Sequence, residues 1–230
     1  MARVLVTLAL AAYNNAANRW PPFNRAVYVP ANLFAALVLT FVATSVLGLS
    51  LEDLGIATST PGDAVLGLVL GAALAAPSFA LSATTRGARV VADRRVAHLR
   101  GAALGYQTLV RVPLGTALWE ELAFRGVLVA AWRDEGDVTA ALVSSAVFGL
   151  WHVAPAATMV RVNAPGARRA TVVRGVAATV AATACAGLVL VWLRMRTDSL
   201  AAPVALHAAL NSLATLASVI ASRRVETPPG

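Results

Sequence analysis

Lysine is missing from this chain: all 19 basic residues are arginine, and only 11 acidic residues accompany them. Charged residues make up 13% of the 230 positions while hydrophobic ones make up 58%, with a mean hydropathy of +0.71. An ordinary soluble domain carries about 25% charged residues, so this composition excludes one and makes lipid the expected solvent. Cys185 is the one cysteine, which rules out an internal disulfide and any multi-thiolate metal site. It sits in an apolar run and reads as a small core residue. No His-Glu-x-x-His helix occurs, which sets soluble zincin chemistry aside.

A net charge of +8 and a pI near 11.3 would suggest nucleic acid as partner in a soluble protein. Here the arginines fall in the gaps between apolar runs, as in loops facing anionic headgroups. The expected partners are therefore membrane lipids and a membrane-associated protein or peptide, not nucleic acid.

Runs long enough to cross the hydrocarbon, about 20 residues each, occur at 27–49, 63–84, 108–132, 138–156, 171–193 and 199–221. They predict an all-α fold, a polytopic bundle of about six spans occupying 27–221, followed by a polar tail over 222–230. Asp63 can cap the second span, Pro77 should kink it, and Pro203 falls in the first turn of the last. Residues 1–26 form a separate segment. Its apolar stretch could pass for a short signal peptide, but Tyr13-Asn14-Asn15 offers no small-residue cleavage site, so an interfacial or half-buried helix is expected.

Arginine placement orients the bundle. Arg3, Arg19 and Arg25 precede the first span, Arg86, Arg89, Arg94, Arg95 and Arg100 follow the second, and Arg161, Arg168 and Arg169 follow the fourth. That alternation predicts a protein of the cytoplasmic membrane with both termini cytoplasmic, Arg194 and Arg196 being the exceptions. Over 86–100 the arginines interleave with Val90, Val91, Val96 and Leu99, the pattern of an amphipathic helix on the inner leaflet, with His98 a headgroup-level polar residue.

Ionisable groups within spans are costly, by roughly 2.5 to 3.5 kcal/mol each on insertion scales, and mark function by default. Three spans offer polar groups to one interior: Glu120, Glu121 and Arg125 in the third, His152 in the fourth with Phe148 one turn before it, and His207 and Asn211 in the sixth. Residues four apart on a helix share a face and adjacent ones do not. Glu121 and Arg125 therefore stack as a structural ion pair, and Glu120 is left without a local cation, suited to general-base work. His207 and Asn211 share one face, where both can donate to an oxygen developing negative charge. His152 can share water activation with Glu120 or carry the proton to the leaving amine, and Phe148 packs one turn before it.

The blocks Glu120-Glu121-x-x-x-Arg125, Phe148-x-x-x-His152 and His207-x-x-x-Asn211, in that order on apolar helices, resemble the CAAX protease and bacteriocin-processing family of intramembrane endopeptidases. The resemblance places the protease core at about 108–221. It implies that Glu120 and His152 activate the hydrolytic water, that His207 and Asn211 stabilise the tetrahedral intermediate, and that Glu121 and Arg125 hold the site together. Family members described as metalloproteases add a possible zinc ion, for which Glu120, His152 and His207 would be the ligands. Two other readings compete. A catalytically silent scaffold or bacteriocin self-immunity protein would keep the fold and act by binding, and a transporter would use the same groups as a proton relay but lacks inverted repeats.

Overall fold

The computed structural model describes residues 1–17, 20 and 27–226; Arg19, Arg25 and the tail end 227–230 lie outside the described residues. Every regular element among them is helical. Helix α1 (Ala2–Ala17) precedes α2 (Tyr28–Ser45), α3 (Pro61–Ser82) and the short α4 (Thr85–Val91). A continuous central helix then runs over 101–132, through α5 (Gly101–Tyr106), a π-helical stretch (Gln107–Leu118), α6 (Trp119–Glu121), a second π stretch (Leu122–Leu128) and α7 (Val129–Trp132). It is followed by α8 (Asp137–Trp151), α9 (Val153–Asn163), α10 (Arg169–Thr197) and α11 (Ala201–Glu226).

Five of the described helical runs are long and apolar enough to cross a membrane: Tyr28–Ser45, Pro61–Ser82, Asp137–Asn163, Arg169–Thr197 and Ala201–Glu226. Their outer faces carry Phe34, Leu37, Phe41, Val69, Leu188 and Trp192 exposed, a distribution that suits a lipid solvent. The chain is an integral membrane protein. Cys185 belongs to this outer face of α10 instead of the core, because the helix turns its glycine, Gly187, and not its cysteine toward α8.

The expected third span is helical but differs in kind from the five. Residues 119–131 are buried on every side, so the central helix is a pillar that the others surround. Its two π stretches are unusual, since π geometry normally occupies a single turn and gathers at functional sites. Pro113, which has no amide proton to donate, lies in the first. Around the pillar, α3 and α11 pack closest. A Cβ on Gly67 would stand 2.2 Å from the Ala202 carbonyl oxygen, and one on Gly71 2.5 Å from that of Leu206, so this small-residue stripe permits backbone contact. Thr60 and Asp63 close a capping box at the start of α3 with Pro61 in its first turn, and the helix continues as α through Pro77.

One segment departs from expectation. The amphipathic helix foreseen over 86–100 ends at Val91, where Ala92 turns extended (ψ 134°). Asp93 then braces the following turns through Arg95 and through Asn163, 3.0 Å away. Burial alone would raise the Asp93 carboxyl, but these partners hold it below the usual range. Helix α1 is half-buried, one of the two settings expected for it. It runs alongside α8, with Arg3 paired to Glu135 at one end and the Asn15 amide 2.9 Å from the Leu150 carbonyl at the other.

That packing separates the chain's two ends. Arg3 shares one end of the bundle with the 50–60 loop and the 197–200 turn, and the Glu226 end shares the other with Arg89, Asp93 and Asn163. Arginine alternation alone puts both termini on one side. Arg194, an exception to that alternation, is 1% exposed and bonded to Asp198 at 2.8 Å and to the Asp53 carbonyl at 2.9 Å. It is a structural clasp between α10 and the 50–60 loop and no loop charge at all.

Candidate active site

The site forms where the pillar meets α8 and α11. Glu120 and Glu121 are consecutive on α6 and diverge as helical geometry requires. Glu121 is wholly buried, and its Oε1 accepts from Arg125 Nη1 at 3.1 Å and from His207 Nδ1 at 2.7 Å. The expected pairing with Arg125 is present, and a second partner has been added. Glu121 is also the anchor of His207, which fixes the ring's orientation and puts a proton on Nδ1.

Glu120 faces α8 and α11. Its Oε1 accepts from the Trp151 indole N–H at 2.9 Å. Its Oε2 is buried and has no hydrogen-bond partner among the described residues, with His207 Nε2 the facing group at 3.9 Å. That separation is too long for a hydrogen bond but suits one water oxygen in reach of both atoms.

Arg125 is 0% exposed and lies over the Phe148 ring at 4.1 Å, so a cation–π contact supplements its single carboxylate. Phe148 also meets both histidines edge-on, His152 at 4.7 Å and His207 at 6.1 Å between ring centroids. It therefore separates the two imidazoles. His152 is half-buried at the break between α8 and α9, with Nδ1 2.7 Å from the Phe148 carbonyl. A carbonyl only accepts, so Nδ1 carries the proton and Nε2 is left as the acceptor. Asn211 is one turn beyond His207 on α11, half-buried, and its side-chain amide makes no hydrogen bond among the described residues.

The structure thus gathers Glu120, Glu121, Arg125 and His207 directly and joins His152 to them through Phe148. Asn211 is on the His207 helix, with no side-chain hydrogen bond to the cluster among the described residues. Trp151 was not foreseen, although its place beside His152 in the same block offered a signal. No three His, Cys, Asp or Glu side chains among the described residues form a group able to hold a metal ion. Each of the two imidazoles has Nδ1 engaged and keeps Nε2 for another partner, and Glu120, His152 and His207 are not gathered into one such group as placed.

Arg125→Ala should lower the yield of folded protein more than the specific activity of what folds. The change removes the one permanent cation from Glu121 and leaves it only His207, and breaking a buried pair costs about 3 to 5 kcal/mol. Detergent-solubilised yield and thermal unfolding measure this. Parental yield and melting with full loss of turnover would instead put Arg125 in the chemical step.

No curated protein and no solved structure gives a match. Residues 103–213, which contain the pillar, His152, His207 and Asn211, match the family described as Type II CAAX prenyl endopeptidase Rce1-like. Over those residues, just under half of the chain, it is similar to type II CAAX prenyl endopeptidases.

Proposed function

We propose that this chain is an intramembrane endopeptidase that hydrolyses a peptide bond of a membrane-associated or lipid-modified protein, with Glu120 as general base. The observation that carries the reading is the buried, unpartnered Oε2 of Glu120 facing His207 Nε2 at 3.9 Å. A water held between them gives up its proton to Glu120 as its oxygen attacks the scissile carbonyl carbon. The carbonyl oxygen then carries the negative charge. His207 and Asn211 are the donors available to it from α11. With Nδ1–H committed to Glu121, the His207 ring donates from Nε2 only as imidazolium, and Glu121 offsets that charge. His152 keeps Nε2 free to take the proton onward to the leaving amine. No step is routed through a metal.

A lipid-anchored peptide and an unmodified transmembrane peptide, each presented in liposomes to the purified chain, test the substrate class. Cleavage of either, dependent on Glu120, supports the reading. Binding of both without cleavage favours the silent scaffold.

In this reading the arginine-rich end of the bundle faces the cytoplasm. Because α1 runs alongside α8, the first residues then face the opposite side from Glu226. A cysteine placed at Ala2 in a Cys185→Ala background should react with an impermeant reagent added outside intact cells, and a reporter after Arg224 should show cytoplasmic activity. Labelling of position 2 only after lysis would return both termini to one side.

A further inference from the structure

The α8–α9 break leaves two backbone bonds unmade. A continuous helix would join the Ala154 N–H to the Leu150 carbonyl and the residue 155 N–H to the Trp151 carbonyl, but Pro155 has no proton to give. Both gaps are filled from α1. Asn14 Nδ2 donates to the Trp151 carbonyl at 3.0 Å, Asn15 Nδ2 donates to the Leu150 carbonyl at 2.9 Å, and Asn15 Oδ1 accepts from the Ala154 N–H at 2.8 Å. His152, whose φ and ψ are −91° and 4°, sits between the residues so held. Tyr13 completes the contact by stacking on Trp151 with centroids 5.7 Å apart, while its hydroxyl donates to Asn32 Oδ1 at 2.9 Å.

We propose that Tyr13-Asn14-Asn15 is a positioning element of the active site. The two amides replace the missing helical bonds and so hold the break at the geometry that presents His152 and sets Trp151 on Glu120. The triplet lies outside the residues that match the protease family, 103–213, so the catalytic core is completed by a helix from elsewhere in the chain. A carboxylate could not replace either asparagine in full, because donation to a carbonyl is needed at both positions. The inference rests on the proposed role of His152 in proton transfer.

Asn15→Ala in the full chain tests it, with Thr7→Val as the control. Thr7 accepts from the Trp132 indole at 3.1 Å near the other end of α1 and touches none of the site. Misplacing a reacting group by about 1 Å can cost 10²-fold, so Asn15→Ala should lower kcat by about 10- to 100-fold with KM little changed. Thr7→Val should leave kcat near parental. Asn15→Asp, which keeps the acceptor facing Ala154, should fall between. Amide exchange over 152–156 should quicken in Asn15→Ala and not in Thr7→Val, a readout that holds whether or not the parental chain cleaves. Equal kcat in Asn15→Ala and Thr7→Val, or unchanged exchange at Ala154, would overturn the proposal. Absence of cleavage by the parental chain would instead remove the protease reading and leave the exchange result standing.

Discussion

Glu120→Gln should reduce proteolysis by roughly 10²-fold to 10⁴-fold or more while leaving the fold intact, since general-base catalysis supplies about that much. Glutamine keeps the size of glutamate and an oxygen for the Trp151 indole N–H, so the one hydrogen bond that holds this side chain is retained. What it loses is the capacity of Oε2 to accept a proton. Melting temperature and folded yield in detergent should therefore match the parental chain while turnover vanishes. Glu121→Gln gives the contrast. Its amide oxygen can still accept from His207, but the charge opposite Arg125 is gone, and a buried guanidinium is left without its carboxylate. That variant should fold poorly and keep measurable activity per folded molecule. Parental cleavage rates in Glu120→Gln would remove the base and with it the mechanism.

Asn211→Ala carries the second large effect, about 10²-fold to 10³-fold in kcat, the usual loss when one oxyanion donor is removed. Its amide bonds to nothing else among the described residues, so truncation removes no structural hydrogen bond, and stability should barely move. Combined with Glu120→Gln, the loss should be less than additive, because both groups serve one transition state. Steady-state kinetics of the two single variants and the double variant measure this. Full additivity, or a fall in melting temperature matching the fall in rate, would reassign Asn211 to helix packing.

Much of this arrangement was legible because membrane solvent makes polar residues conspicuous. Glu120, Glu121, Arg125, His152, His207 and Asn211 stand out in apolar runs, and the i to i+4 rule paired Glu121 with Arg125 before any coordinates. The same rule could not see that Glu121 also anchors His207, since that contact joins positions 86 apart in sequence. Trp151 was hidden for a related reason. A tryptophan in an apolar helix reads as packing until its indole N–H is found on a carboxylate. Hydropathy likewise marked the spans but not their surroundings: 119–131 is enclosed by its neighbours while the other spans keep exposed apolar faces, and an apolar run looks alike in both settings. The sequence allows an interfacial or a half-buried first helix because its length, about 24 Å at 1.5 Å per residue, fits both, and the packing along α8 leaves it half-buried. Its asparagine pair makes sense only beside the break that Pro155 creates.

The central claim is that an ionisable Glu120 makes this chain a protease, and comparing membrane proteins from cells carrying the parental chain with those from cells carrying Glu120→Gln tests it most directly. Mass spectrometry of protein termini should find at least one membrane-associated protein with a new end in the parental cells only, at matched levels of the two chains. Identical sets of termini in both would contradict the account and leave a membrane scaffold in its place.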